Sequence, residues 1–218
     1  MKAHYDSENM NQIFNAISAR ADTMRKDGWS WTSVEKAELM AMICFSIRAQ
    51  SCCEIGVWGG GSLFPVATIL KEMGGKRQVW AIDPWSPAAS GEGYTGINQK
   101  WWTESADHEG AYRYFQKVLN ETGTFQFVKV IRGKSDNVVP SEKLDFLHVD
   151  GQHTEQAVRD VHRFASKVRI GGFCVLDDLG NFDGHVDRAA DRLRGLGFVE
   201  LYRIGGGDVS VSGIYQKV

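Results

Sequence analysis

The clearest indication of the fold comes from the segment Leu144-Asp-Phe-Leu-His-Val-Asp150-Gly-Gln-His153. Its apolar part is typical of a buried strand, and it ends in a carboxylate that is followed three residues later by an imidazole. A second apolar run, residues 172–176, ends in the same way with Asp177 and Asp178. Acidic residues after two buried strands predict a polar site along one edge of a sheet.

Short apolar runs alternate with helical patterns from residue 51 onward. The predicted strands cover residues 52–57, 79–82, 125–131, 144–149, 172–176, 198–204 and 209–216. The helical patterns between them cover residues 63–73, 110–122, 155–168 and 187–196. This alternation predicts an α/β fold with a Rossmann-like, open and mostly parallel seven-stranded sheet and helices on both faces. Only four residues, 205–208, separate the last two strands, so the sheet should include a C-terminal antiparallel strand.

Two amphipathic helices are predicted before the sheet, over residues 8–26 and 34–49. Thr32-Ser-Val-Glu35 has the spacing of a capping box that would open the second helix. The chain shows no internal repeat, low-complexity segment or linker. We therefore predict one domain over residues 1–218, with a helical cap at residues 1–50 and a Rossmann-like core at residues 51–218.

The composition is that of an ordinary globular protein, with 43% hydrophobic and 24% charged residues and a formal net charge of −2. This balance gives no electrostatic footprint for nucleic acid, and no apolar run reaches membrane-spanning length. The four cysteines lack zinc-site spacing, and the N-terminus lacks the apolar region of a signal peptide. We expect a cytoplasmic protein that binds neither nucleic acid nor membrane. A homo-oligomer remains open.

A glycine-rich loop follows the first predicted strand and opens a helix. It reads Glu54-Ile-Gly56-Val-Trp-Gly59-Gly60-Gly61-Ser62. Glycines there allow a tight turn and a close approach of the backbone to a ligand, although a purely structural turn would look similar. The next predicted strand ends in Asp83, which is placed to accept hydrogen bonds from ribose hydroxyls or to cap a turn. Together these features favour a nucleoside-containing cofactor. Ser135, after the following strand, could touch an adenine or cap a helix.

These motifs, together with His148-Val-Asp150-Gly-x-His153 and Gly171-Gly-Phe-x-x-x-Asp177-Asp178, resemble the class I S-adenosylmethionine-dependent methyltransferases. Within that class the chain is most similar to the small metal-dependent O-methyltransferases. The macrocin and mycinose type, which modifies sugars, resembles it more than catechol O-methyltransferase does. The resemblance spans residues 52–218.

The resemblance implies a role for each motif. Glu54 and Gly56 would line the methionine part of S-adenosylmethionine, within a cofactor loop that also includes Gly59, Gly60 and Ser62. Asp83 would bind the ribose, and Ser135 would flank the adenine. The remaining roles fall on the acidic end of the sheet, where Asp150 would border the cofactor as well as bind metal. The implied metal ligands are Asp150, Asp177 and Asp178, and His153 would be the general base.

The chemistry agrees with these roles. An alcohol is mostly protonated at neutral pH, so methyl transfer to it needs a base, and a Lewis acid helps. Carboxylate oxygens suit Mg²⁺ or another divalent cation. Catechol-type enzymes usually have Lys in place of His153 and Asn in place of Asp178. We therefore expect a small hydroxylated substrate, with a sugar or polyketide glycoside preferred over a catechol.

Other interpretations remain open at this point. A metal-independent methyltransferase of the same fold would share these motifs. A nicotinamide-dependent oxidoreductase would need a dinucleotide glycine spacing that the loop lacks, and a non-catalytic nucleotide-binding module would keep the cleft without the chemistry. Residues 85–109 are predicted as a long loop. Its aromatic residues would either form an ordered lid over a ring-shaped acceptor or, at Trp101 and Trp102, begin a helix and pack in the core.

Overall fold

A seven-stranded sheet forms the centre of the computed structural model, which describes residues 7–138, 142–180, 184–206 and 209–218. The strand order is β3-β2-β1-β4-β5-β7-β6. The strands are β1 Ser51–Ile55, β2 Gln78–Asp83, β3 Val128–Arg132, β4 Leu144–Val149, β5 Val168–Leu179, β6 Phe198–Gly206 and β7 Val209–Lys217. The first five pair in parallel, and β7 runs antiparallel to both of its neighbours, β5 and β6. The predicted fold is confirmed.

Helices cover both faces of this sheet. They are α1 Ser7–Lys26, α2 Val34–Ser46, α3 Leu63–Met73, α4 Pro87–Ser90, α5 Gly96–Lys100, α6 His108–Glu121, α7 Glu155–Asp160 and α8 His185–Gly195. Two hydrophobic clusters lie on the two faces, and the adjacent β1 residues Cys52 and Cys53 belong to different ones because strand side chains alternate. The helices α1, α2, α3 and α6 contribute to the first cluster, and α7 and α8 contribute to the second. None of the described helices combines the length and apolar character of a membrane span.

Several local predictions were wrong in detail. The helix cap is Ser33 rather than Thr32, and its side chain accepts a hydrogen bond from the Lys36 amide. The predicted third strand begins late, because Phe125–Phe127 is a 3₁₀ turn in which Phe125 is 56% exposed. The helix predicted over residues 155–168 changes to π-helical geometry at Val161–Ala165. Residues 207 and 208 of the predicted 205–208 turn lie outside the described residues.

The strand order explains where a site can form. The chain leaves β1 toward β2 on one side of the sheet and later returns through β4 on the other side, so the order reverses between β1 and β4. Ligands of open α/β sheets bind beyond the carboxyl ends of the strands at such a reversal. The glycine-rich loop after β1 and Asp150 after β4 meet there, since the amide of Asp150 donates to the carbonyl of Ile55.

Candidate active site

A cleft of about 1040 Å³ opens at the carboxyl ends of the parallel strands. Small-molecule sites usually measure ~300–1,000 Å³, so this cleft has room for a cofactor together with an acceptor. Most of the predicted site residues line it: Gly56, Ser62, Asp83, Ser135, Asp150, His153, Asp177 and Asp178. Glu54, Gly59 and Gly60 are not among the described residues that line the cleft.

The glycine-rich loop is shaped by close approaches within the protein. Gly56 has φ +84°, and a Cβ atom there would lie 2.0 Å from the carbonyl oxygen of Asp150. A Cβ atom at Gly59 would lie 2.2 Å from the carbonyl oxygen of Trp29. The first glycine lets the loop pack against the end of β4, and the second lets the segment between α1 and α2 pack against the loop.

Asp83 holds this loop from the neighbouring strand. Its Oδ2 accepts hydrogen bonds from the amides of Val57 and Trp58 at 2.8 and 2.9 Å, and its Oδ1 accepts one from the Trp85 amide at 2.7 Å. Burial raises the pKa of this carboxyl, although the three amides favour its ionised form. A carboxylate has about four acceptor positions, so roughly one remains for a ribose hydroxyl. Its ribose role stays a prediction.

Ser135 is buried beside two polar residues that the sequence analysis did not single out. Gln156 Nε2 donates to Ser135 Oγ at 3.2 Å and to Asp160 Oδ1 at 3.0 Å. Asp160 is almost fully buried, and this burial raises its pKa to about 6. All three residues line the cleft. The spacing of four between Gln156 and Asp160 places them on one face of a helix, which is the signal that could have found them.

At the acidic end of the cleft, Asp150, His153 and Asp178 come together. His153 Nε2 lies 2.7 Å from Asp178 Oδ2 and 3.9 Å from Asp150 Oδ1. The His153 amide also donates to the Tyr94 hydroxyl at 2.8 Å. Burial opposes protonation of the imidazole, but hydrogen bonds to Asp150 and Asp178 outweigh it and raise its pKa to about 9. These contacts orient the ring toward the carboxylates.

The backbone at the end of β5 places both neighbouring acids at the site. In a regular strand, Asp177 and Asp178 would point to opposite faces. The pairing of β5 with β7 is irregular between Leu176 and Leu179, and Asp178 has φ +62°, in the left-handed region. Such irregularities re-aim side chains and are frequent next to active sites.

Asp177 belongs to a buried chain of charged groups. Its Oδ2 forms an ion pair and hydrogen bond with Nζ of Lys36, and its Oδ1 lies 3.4 Å from His148 Nε2. His148 Nδ1 lies 3.1 Å from Glu54 Oε2, and Glu54 Oε1 accepts a hydrogen bond from Ser62 Oγ at 2.8 Å. Glu54, predicted to line the cofactor's methionine part, thus has both oxygens engaged with protein side chains. His148 is fully buried.

The charged groups of this buried cluster shift one another's pKa values. Burial favours a neutral Asp177, but Lys36 and His148 hold its pKa well below the usual range. Burial and Lys36 oppose protonation of His148, whereas Asp177 and Glu54 raise its pKa to about 9. Burial together with the charge of Asp177 raises the pKa of Asp150. Asp177 is therefore held in its ionised form by its two basic neighbours.

The side chains at the acidic end are of the chemical types that bind a divalent cation, but their arrangement differs from the predicted one in one respect. In the described part of the chain, two groups have possible ligand atoms that all lie within 4.8 Å of one another. One contains Asp150, Asp177 and His148, and the other contains Asp150, Asp178 and His153. The predicted trio of acids is divided between these two groups, and Asp177 also contacts Lys36. Asp177 Oδ1 is nevertheless buried and receives no hydrogen bond of good geometry from the described residues, so it can accept a cation.

Residues 85–109, which we call the lid segment, contain α4, α5 and a π-helical turn at Trp101–Ser105. Gln152 Nε2 donates to the carbonyls of Ala89 and Glu92 at 2.7 and 2.8 Å, which anchors the lid segment beside the acidic end. The role of this segment as a lid over an acceptor stays a prediction, whereas Trp101 and Trp102 do begin a helical turn, as the alternative expected. Trp101 lines the cleft and is 39% exposed, whereas Trp102 also packs edge-on against Trp58.

Three tryptophan side chains form an aromatic cluster that lines the cleft. Trp31, Trp58 and Trp101 have ring centroids 5.8–6.2 Å apart, and all three line the cleft. Trp31 and Trp58 are stacked with an interplanar angle of 23°. We refer to these three side chains as the tryptophan group.

Known proteins share the fold of this chain. A family model described as a methyltransferase domain matches residues 53–179. No curated protein matches the chain. Among solved structures, the O-methyltransferase NovP superposes with a TM-score of 0.66 and 17% identity, covering 97% of this chain and 98% of NovP.

Two further structures show the same fold. The O-methyltransferase TomG from Streptomyces achromogenes, solved with S-adenosylmethionine and involved in tomaymycin synthesis, gives a TM-score of 0.63 at 14% identity, covering 99% of this chain and 92% of TomG. An O-methyltransferase from Bacillus cereus in complex with S-adenosylhomocysteine gives 0.59 at 13% identity, covering 94% of this chain and 91% of that one. At these identities the likeness shows the fold.

Proposed function

Because the chain belongs to the methyltransferase-domain family, we propose that it transfers the methyl group of S-adenosylmethionine to a hydroxyl of a small molecule, with Mg²⁺ or another divalent cation assisting. The observation that carries this proposal is the convergence of Asp150, His153 and Asp178 in one cleft beside the glycine-rich loop. A cofactor site and a proton acceptor thus open into the same space. The family membership argues against the nicotinamide alternative.

The cofactor assignment is supported from two sides of the cleft. The loop after β1 and Asp83 border one part, and Ser135 with Gln156 and Asp160 border another. The TomG and Bacillus cereus structures, which share the fold, hold S-adenosylmethionine and S-adenosylhomocysteine respectively. Amide and carboxamide groups around Ser135 would recognise the edge of an adenine by hydrogen bonding.

The reaction forms a bond between the acceptor oxygen and the methyl carbon while the bond from sulfur to that carbon breaks. S-adenosylhomocysteine leaves, and the hydroxyl proton passes to a base. His153 is our candidate for this base, held by Asp178 and by the Tyr94 hydroxyl. With its pKa raised to about 9, His153 can accept a proton at neutral pH only when the charge of Asp150 and Asp178 is offset.

The need to offset the charge of Asp150 and Asp178 supports a cation at the acidic end of the cleft. Asp150, Asp177 and Asp178 would hold it through carboxylate oxygens, which are the ligands that Mg²⁺ prefers. When bound, the ion would supply Lewis-acid polarisation of the acceptor oxygen. The protein's own part is to position the acceptor hydroxyl between these carboxylates and His153 and to exclude water with the lid.

The tryptophan group indicates what kind of acceptor the cleft would bind. Trp31 is 62% exposed, which is unusual for so large an apolar side chain at a cleft. Flat aromatic faces bind the apolar faces of sugar rings and other ring systems. This supports a ring-bearing acceptor, and we propose a sugar or polyketide-glycoside hydroxyl over a catechol because His153 stands where catechol-type enzymes have Lys.

The proposal is tested by incubating the purified protein with S-adenosylmethionine and a panel of glycosides and phenols, and by following S-adenosylhomocysteine formation and the mass of the product. We expect micromolar binding of S-adenosylhomocysteine by calorimetry, a mass gain of one methyl group on a glycoside, and loss of turnover in EDTA that Mg²⁺ restores. Binding of NAD without binding of S-adenosylhomocysteine would refute the proposal.

One observation favours a second candidate, methyl transfer without a metal. The ammonium of Lys36 already compensates Asp177, so one permanent cation is part of the site. In that case turnover would persist in EDTA, and Asp178→Asn would reduce it less than His153→Gln does.

A further inference from the structure

Lys36 is an unusual neighbour for a metal site. It lies on α2, in the helical region that precedes the family match at residues 53–179, and its side chain is only 8% exposed. Its Nζ contacts Asp177 Oδ2 across 141 positions of sequence. Lysine is rarely buried unless it is paired, so this contact fixes both the end of the side chain and the approach of α2 to the sheet edge.

We propose that Lys36 is a tethered cation that competes with the divalent ion for Asp177. This inference rests on the metal-assisted part of the proposed function. Lys36 neutralises Asp177 through their ion pair, and Asp177 and Asp178 fall in different groups of close ligand atoms. Full coordination by the three acids would therefore place the ion on Asp177 Oδ1, next to the ammonium that holds Oδ2.

Electrostatics predicts in which direction Lys36 changes the affinity of the site for a metal ion. An ammonium beside a carboxylate repels any second cation that approaches the same carboxylate, and in a buried site this repulsion is poorly screened. The Lys36 Nζ contacts Asp177 Oδ2 directly, and a buried lysine that is paired in this way is held in its ammonium form. Removing this charge should therefore strengthen metal binding.

An ordinary structural ion pair predicts the opposite sign. If Lys36 only oriented Asp177 for the metal, its loss would leave the carboxylate misplaced, and metal affinity would fall. If Lys36 only filled space, the affinity would not change. The direction of the change in affinity thus separates competition from positioning.

The experiment measures Mn²⁺ binding to the full-length, chelator-treated protein by the electron paramagnetic resonance signal of free Mn²⁺. Lys36→Met is compared with the wild type, and Lys36→Gln is the second variant in case the first does not fold. The matched control is Lys71→Met, because the Lys71 ammonium donates to the Thr122 carbonyl, away from the acids, at 2.8 Å. Thermal unfolding with and without Mn²⁺ provides a second readout.

We expect Lys36→Met or Lys36→Gln to bind Mn²⁺ roughly tenfold tighter or more, with a larger thermal stabilisation by the ion, while Lys71→Met behaves as the wild type. Equal or weaker binding by the Lys36 variants overturns the competition and leaves the methyltransferase proposal standing. Absence of Mn²⁺ binding in every protein overturns it as well and removes the metal from the proposed function. Binding only after Lys36 is replaced supports the competition most strongly.

Discussion

Gly56→Ala tests whether the glycine-rich loop depends on its contact with the end of β4. The substitution meets two obstacles. A φ of +84° is unfavourable for an L-residue by ~1–2 kcal/mol. The new Cβ would also lie 2.0 Å from the carbonyl oxygen of Asp150, so the loop and β4 must move apart, which costs about 1–3 kcal/mol as overpacking does. Together we expect a loss of roughly 2–5 kcal/mol in the free energy of unfolding.

Gly74→Ala is the matched control, since Gly74 has φ +64° and a Cβ atom added there would meet no other atom within 4 Å. It should lose only the conformational part, ~1–2 kcal/mol. Urea unfolding gives both free energies, and calorimetry with S-adenosylhomocysteine shows whether the displaced loop also weakens cofactor binding. Equal losses in the two variants, with unchanged cofactor affinity for Gly56→Ala, would refute the reasoning.

Three other predictions address the base, the acceptor face and a buried acid. His153→Gln should lower kcat by roughly 10²–10⁴-fold with little change in S-adenosylhomocysteine affinity, and a loss of less than threefold would exclude His153 as the base. Trp31→Ala should raise the KM for the acceptor but not for S-adenosylmethionine, whereas Leu201→Ala, at a position 52% exposed on β6, should change neither. The pKa of Asp160 is raised to about 6, so its proton stabilises the fold fully below pH 3.8, and this contribution is lost as pH rises through 6. Asp160→Asn should therefore remove a slope of up to ~1.4 kcal/mol per pH unit between pH 4 and 6 in urea unfolding, and an unchanged slope would contradict the assignment.

The sheet could be predicted because its strands carry continuous apolar runs and the connections between them carry helical periodicity. The β3 boundary could not, because Phe125 and Phe127 have the same hydrophobicity whether they begin a strand or form a 3₁₀ turn. Burial decides between the two, and Phe125 is mostly exposed. The π-helical turn after α7 likewise has no signature in hydrophobic spacing.

The acidic end could be predicted from topology, since parallel strands deliver Asp150 and Asp177 to the same edge. Lys36 could not. A lysine within an amphipathic helix is expected on the solvent side, and its partner lies in a strand 141 residues away. The packing of Trp29 against Gly59 was also hidden, because a glycine run indicates that something approaches the backbone but does not say whether a ligand or another part of the chain does so.

The left-handed backbone at Asp178 limits which residues could replace it. Aspartate, asparagine and glycine adopt this conformation most readily, whereas β-branched and bulky residues do so at high cost. Exchange of Asp178 for asparagine would change the net charge of the cleft by one unit without any rebuilding of the strand. The irregular end of β5 thus permits an evolutionary adjustment of charge at a fixed geometry, and the asparagine that catechol-type enzymes have at this position is a residue that the same backbone would accept.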